Sequence, residues 1–204
     1  MTSMTGAPAG SRPAGLRERK KARTRAAIRE HALRLFREQG YHATTVEQIA
    51  EAAEVSPSTF FRYFPTKEDV VLRDDMDVIG LEAFEAQPAS LSPIAAYRAA
   101  VLEAFASLTP EELERFRETT HLTLTVPEVR ARALDEFASG IDTVATAVAR
   151  RTGRSADDFA VRNMAGALIG VVVAATMPWG EQPAPDMLDR IDAALAHLEA
   201  GLPL

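Results

Sequence analysis

The sequence predicts an all-α protein of about nine helices, and three observations carry that expectation. Apolar residues recur at spacings of three and four along most of the chain, as they do when helices bury one face. No stretch alternates with period two in β-branched residues, as a half-buried strand would. Prolines follow short polar residues at intervals, as at Ser56-Pro57, Ser92-Pro93 and Thr109-Pro110, and a proline at the first helical position loses no hydrogen bond.

Residues 1–15 are rich in Gly, Pro, Ala, Ser and Thr and read as a disordered arm. They lack the apolar core of a signal peptide, so a cytoplasmic location is expected. A long helix follows from Leu16 to Gln39, with Ile28, Leu33, Leu35 and Phe36 on one stripe and Gly40 as a left-handed stop. Short helices are expected over Val46–Ala53, capped by Thr45, and over Pro57–Tyr63, capped by Ser56. A longer one runs from Pro65-Thr66 to Ala86. Ser92-Pro93 opens a helix to Leu108, and Thr109-Pro110-Glu111-Glu112 opens another with acids in its first turn. Pro127 opens one to Arg151, Ser155 with Asp157 and Asp158 one to Met177, and Pro185-Asp186 the last, to Ala200. The connections at 87–92 and 178–185 read as loops, the first of them mobile.

Composition narrows the function classes. There is no cysteine, which excludes disulfides and thiolate chemistry. The four histidines are scattered (His31, His42, His121, His197), so neither a metal site nor a cofactor is expected. No apolar run reaches the roughly 18–20 residues of a membrane span; the longest, Met164 to Met177, reads as a buried helix. Gly-rich phosphate loops and nucleophile motifs are absent from the sequence, which argues against an enzyme. The net charge of −6 conceals an asymmetry: residues 12–67 carry 12 Lys and Arg against 6 Asp and Glu, whereas residues 68–204 carry 11 against 23. A basic first third can displace counterions from a polyphosphate, while the acidic remainder is repelled by it.

The stretch Gly40 to Val70, GYHATTVEQIAEAAEVSPSTFFRYFPTKEDV, explains that asymmetry. Val46, Ile49 and Ala50 give the first short helix an inward face. Ala53-Glu54-Val55 makes a tight turn. Phe60 and Phe64 point the second short helix into the core. Ser56, Ser58, Thr59, Arg62 and Tyr63 are left outward or terminal, where hydroxyls suit phosphates and an arginine can reach a guanine. Two short helices arranged this way form a helix-turn-helix that binds double-stranded DNA.

The same stretch resembles the N-terminal signature of the TetR family of regulators. The Gly-Tyr after the first helix, Thr-Thr-Val, Val-Ser-Pro-Ser-Thr and Phe-Arg-Tyr-Phe-Pro-Thr-Lys-Glu all carry the likeness. It implies a three-helix DNA-binding domain over 16–66 and a helical ligand-binding and dimerisation domain over 67–204. By resemblance, Thr45, Tyr63 and Lys67 contact phosphates. Ser56, Pro57, Ser58 and Thr59 sit at the groove with Arg62 beside it, and Glu47 lies where some members read a base. Phe61 stands where the family usually carries a tyrosine, which keeps the ring and loses a hydrogen bond to DNA. Arg17, Arg19, Lys20, Lys21, Arg23 and Arg25 resemble an extension along the backbone or into the minor groove; a solvated helix end is the other reading.

For the second domain, Val161, Met164, Ala165, Leu168, Ile169, Val172 and Val173, with Gly166 and Gly170, form a broad apolar face. With Ile191, Ala194, Leu195 and Leu198 they predict a four-helix homodimer interface on a palindromic operator, or else a subunit core. Met76, Ile79, Leu81, Phe84, Phe105, Leu108, Phe116, Leu122, Leu124 and Phe137 could line an apolar effector pocket or serve as ordinary core. His121 among its threonines and Trp179 after Pro178 are further candidates. The segment Thr123 to Trp179 resembles a TetR subgroup associated with acyl-CoA-like ligands. Arg130, Arg132, Arg150, Arg151 and Arg154 would meet anionic groups on such a ligand or lie on solvated faces. The resulting expectation is a repressor released by a small apolar effector; the alternatives are an activator or an architectural DNA-binding protein.

Overall fold

The computed structural model describes residues 15–72, 76–176 and 187–204. Among the described residues there are ten helices and no strand: α1 (Leu16–Gln39), α2 (Val46–Ala52), α3 (Pro57–Tyr63), α4 (Glu68–Leu72), α5 (Met76–Ala86), α6 (Pro93–Ala106), α7 (Pro110–Thr125), α8 (Pro127–Thr152), α9 (Phe159–Thr176) and α10 (Met187–Glu199). The single helix expected to end at Ala86 is described as two segments, α4 and α5, with residues 73–75 outside the described residues. The N-terminal arm, Trp179 and the loop at 178–185 also lie outside them.

The chain divides into two compact units, residues 1–67 and 68–204. In the first, α2 packs against α1 and α3. Ile28, Ala32, Leu33 and Phe36 of α1 are buried, as are Ile49, Ala50, Phe60 and Phe64. In the second, α9 lies against α8 and α10, α6 against α5 and α10, and α4 against α7 and α8. A core of Phe84, Ala96, Ala100, Ala145, Val148, Val161, Ala165, Leu168, Ile191 and Leu195 holds this unit together. Small residues dominate the α6 and α8 contributions, which lets the helices approach closely.

Helix starts follow local chemistry. Thr45 and Thr109 each form a capping box, with Gln48 and Glu112 respectively. α9 begins at Phe159 rather than at Ser155, because Asp158 supplies the cap: its Oδ1 accepts from the amides of Ala160 (2.8 Å) and Val161 (3.2 Å). The 87–92 connection, expected to be mobile, is tied down by Arg151, which donates to the carbonyls of Gln87, Pro88 and Leu91.

The expected dimer interface needs correction. Val161, Ala165, Leu168, Ile191 and Leu195 are already buried inside one chain, none more than 3% exposed. Met164, Val172 and Leu198 are half-buried against the same core, and Ile169 turns toward a cavity. The cause is that α9 is apolar all round beyond Arg162 and Asn163, so periodicity over residues 164–176 could not tell its inner face from its outer one. Its outer face carries Ala167, Gly170 and Ala174, all exposed. A Cβ added at Gly166 or Gly170 would touch nothing within 4 Å, so no close helix contact within the chain uses these glycines. The expectation of a buried helix holds for one face only: α9 is 18 residues long and apolar enough to cross a membrane by length and composition, and Val161, Ala165 and Leu168 are buried while its remaining residues are partly or fully exposed.

Three carboxylates link this fold to pH. The Arg98 guanidinium donates to Asp192 (3.0 Å from Nη2 to Oδ2) and holds that carboxyl below its ordinary value. The amide of Val161 does the same for Asp158, and the amide of Thr109 for Glu112. Each folded-state value is depressed, so the stabilisation is complete above the unfolded values, about pH 4, and is lost as pH falls through the folded ones. The thermal midpoint should drop steeply below about pH 4, and an Asp192→Asn variant, measured alongside, should show a shallower drop.

Candidate functional site

The helix-turn-helix is built by two strained or capped junctions. α1 ends at Gly40, whose φ of 86° and ψ of 156° place it outside the left-handed helical well expected of it, in a region that only glycine occupies. The chain then turns through 41–44. Tyr41 is buried with its ring 5.0 Å from that of Phe36, and the Thr44 hydroxyl donates to the Gly40 carbonyl (2.9 Å). Gln39 bridges the corner, donating to the Thr44 hydroxyl (3.1 Å) and to the Gln48 side chain (3.0 Å).

The second junction joins α2 to α3. The amide of Val55 bonds to the carbonyl of Ala50 (2.9 Å), and that of Glu54 to the carbonyl of Glu51 (3.0 Å). This is a Schellman motif, and Glu54 occupies its left-handed position at φ 53°. A side chain there costs about 1–2 kcal/mol that glycine avoids. Glu54→Gly is expected to raise the denaturation midpoint of the first unit by the equivalent of about 1 kcal/mol. An unchanged or lowered midpoint in urea unfolding would count against the strain.

The expected DNA-contacting residues fall as follows. Thr45 is exposed, and its hydroxyl accepts from the Gln48 amide (3.3 Å). Glu47 is exposed on the first turn of α2. Ser56, Pro57 and Ser58 are exposed at the start of α3. The Ser56 hydroxyl accepts from the Thr59 amide (3.1 Å) and lies 2.9 Å from that of Ser58. Arg62 is exposed, 5.5 Å from the Tyr63 ring centroid, with its Nη2 3.4 Å from the Thr59 hydroxyl. Phe61 stands 49% exposed beside them, an apolar side chain on an otherwise polar face. Lys67 has partners within the unit: its ammonium donates to the carbonyls of Tyr41 and Thr44, each at 3.0 Å, and lies over the Tyr41 ring. It is therefore engaged with the turn that leads into Thr45.

The second unit encloses a cavity of about 460 Å³. Leu81, Phe84, Phe105, Phe116, Leu124 and Phe137, expected there, line it together with Tyr97, Val101, Ile169 and Val172, whereas Leu108 and Leu122 do not. His121 does not. It is exposed on α7, while Thr119, Thr120 and Thr123 face the cavity. One residue of a helix turns about 100°, so His121 points elsewhere than its neighbour Thr120. The side chains of Met76 and Ile79 lie outside the described residues. Sequence reading missed Glu136, Ser139, Gly140 and Thr143, which with Phe137, Val144 and Ala147 form one lining face of α8; their spacing of three and four was the available signal. Val71 and Leu72 of α4 also line the cavity. Four of the five arginines suggested for anionic ligands are engaged elsewhere, and the fifth, Arg130, is exposed and does not line the cavity. Arg150 pairs with Glu85, Arg151 holds the 87–91 carbonyls, Arg154 pairs with Asp158, and Arg132 pairs with Asp69 (3.1 Å) on α4, Asp135 (2.8 Å) and Glu136 (3.3 Å). Asp69 is fully buried.

Residues 28–73 match the family profile described as bacterial regulatory proteins, tetR family, and residues 91–203 match the MftR C-terminal domain. The chain belongs to the TetR family of transcriptional regulators. Within this family, the transcriptional regulator TcmR of Streptomyces glaucescens is 38% identical over 151 residues, covering 71% of this chain and 67% of its own. RutR of Escherichia coli is 40% identical over 88 residues, 41% of this chain and 42% of its own. Among solved structures, the TetR-family repressor FadR of Thermus thermophilus, in complex with lauroyl-CoA, is 29% identical with a TM-score of 0.56 over 88% of this chain and 95% of its own. SmeT of Stenotrophomonas maltophilia, the repressor of a multidrug efflux pump, shares the fold at 20% identity and a TM-score of 0.54, over 87% and 89% of the two chains. TetR-family proteins are DNA-binding regulators rather than enzymes, and this chain is one of them.

Proposed function

We propose that this TetR-family chain is a homodimeric, cytoplasmic repressor whose hold on a palindromic operator is released by a small apolar effector. The observation that carries the reading is the position of α4. It begins at Glu68, directly after the DNA-binding unit in sequence, and its own Val71 and Leu72 line the cavity. An effector that prefers one position of α4 therefore biases whatever α4 leads into, by its difference in affinity between two states. The domain boundaries follow the same logic: 16–66 for DNA and 67–204 for the effector and the partner subunit.

On the DNA side, Thr45 and Tyr63 hold phosphates, Ser56, Pro57, Ser58, Thr59 and Arg62 read or border the groove, and Glu47 tunes it by repulsion or by accepting from a cytosine. Lys67 acts through the 41–44 turn that it braces. The outer face of α9, with Ala167, Gly170 and Ala174, takes the place of the inner face as the surface for a second subunit. The lauroyl-CoA held by FadR favours a fatty-acyl or acyl-CoA-like effector; against an acyl anion inside this cavity stands a lining that, among the described residues, has no Lys, Arg or His.

The test is selection of binding sites from a random DNA pool, followed by affinity measurements with candidate effectors. Recovery of two-fold symmetric sites whose occupancy falls on adding an apolar compound is the expected result. Scattered, asymmetric, low-affinity sites would sink it in favour of an architectural role, and occupancy that rises with the compound would make the chain an activator.

A further inference from the structure

We infer that the cavity of the second unit is built for an amphiphile whose head donates hydrogen bonds, an amine, ammonium or hydroxyl, and that Glu136 reads that head. The inference rests on the effector reading above and specifies its chemistry.

Five of the seven hydroxyls on the described lining direct their protons to backbone carbonyls rather than into the cavity; Tyr97 and Thr120 carry the other two. Thr119 donates to the carbonyls of Arg115 (3.1 Å) and Phe116 (3.0 Å), and Thr123 to that of Thr119 (2.8 Å). Ser139 donates to Asp135 (3.1 Å), Thr143 to Ser139 (3.1 Å) and Thr176 to Val173 (2.9 Å). What five such hydroxyls offer a ligand is lone pairs, because each hydroxyl has a single proton. The carboxylate of Glu136 adds the only formal charge among the described lining side chains, and it is negative. The remaining walls are aromatic and aliphatic, with Phe105 and Phe116 edge to face at 5.0 Å. A carboxylate or phosphate placed here would face the Glu136 carboxylate and a wall on which lone pairs outnumber free protons, and would lose hydration with little compensation. A donor head finds partners on α7, α8 and α9 while its apolar body fills the aromatic side.

Glu136 also has a mechanical connection. It shares Arg132 with the buried Asp69 of α4. A cationic or hydroxyl head that takes up Glu136 changes the company of the guanidinium that anchors α4.

The experiment titrates the full chain with 1-decylamine, 1-decanol and sodium decanoate below their micellar concentrations, and with lauroyl-CoA, reading the thermal midpoint and calorimetric affinity. Decylamine and decanol should bind, and decanoate at least about tenfold more weakly than decylamine. Glu136→Gln should cost decylamine about tenfold and leave decanol within about twofold. Thr123→Val, which keeps the shape and removes a lone-pair donor, should weaken both. Decanoate or lauroyl-CoA binding as tightly as decylamine, no binding of decylamine, or a Glu136→Gln variant that folds normally and binds decylamine unchanged would each overturn the inference. The operator selection uses no effector, so the regulatory reading can fail without this one. If decylamine binds as described yet leaves operator affinity unmoved, the cavity chemistry stands and effector control falls.

Discussion

Replacing Gly40 by alanine is expected to destabilise the DNA-binding unit by about 1–3 kcal/mol and to abolish operator binding near body temperature. The cause is the backbone alone. A Cβ at Gly40 would touch nothing within 4 Å, but φ of 86° with ψ of 156° is closed to residues that carry one. The chain must then re-route the 41–44 turn, and with it Thr45, Tyr41 and the two carbonyls that Lys67 holds. Asparagine tolerates the left-handed helical well but not this region, so Gly40→Asn should fail as well. Gly153, at φ 69° and ψ 20°, is the internal control: Gly153→Asn should be nearly neutral there. Urea unfolding of the three variants, with circular dichroism of helix content, checks the contrast; a mild Gly40→Asn beside a damaging Gly153→Asn would refute it.

Truncating Arg132 is expected to have the next largest effect. Arg132→Met removes the guanidinium from a fully buried carboxylate, Asp69, and loss of one partner of a buried pair costs about 3–5 kcal/mol. Arg132 is itself 27% exposed, which places the cost toward the lower end. The pull of Asp69 is also the first cause of the raised Arg132 pKa. The double variant Arg132→Met with Asp69→Leu should recover most of the loss, since an apolar pair of similar size removes the buried charge altogether. A double variant as unstable as the single one would mean that the charge is not what Arg132 compensates. Because Arg132 also holds Glu136, the recovered double variant should still bind operator but lose its response to effector.

Much of this molecule was legible as periodicity and punctuation. α1, α3 and the start of α7 stand where the apolar stripe, the Ser56-Pro57 cap and the Thr109–Glu112 box placed them, because each depends on residues within one turn. Features set by long-range packing were not legible. Beyond Arg162 and Asn163, α9 is apolar on every side, so the neighbouring α8 and α10 decide that Ala165 faces in and Ala167 out. His121 reads as a candidate in the sequence and Glu136 does not stand out, yet the phase of α7 and α8 against the cavity turns the first outward and the second inward. Glu54 gave no sign of its positive φ, since glycine usually marks that position and a glutamate there reads as surface.

The corner that Gln39, Thr44, Thr45 and Gln48 build from amides and hydroxyls contains no ion pair of its own. Added salt screens charges but leaves such neutral bonds nearly untouched. Apart from the two carbonyls held by the Lys67 ammonium, the geometry of this corner should therefore change little between dilute and concentrated electrolyte. A plot of log affinity for operator against log salt then measures displaced counterions, about 0.9 per phosphate neutralised, rather than a change in the protein, and counts the backbone contacts directly.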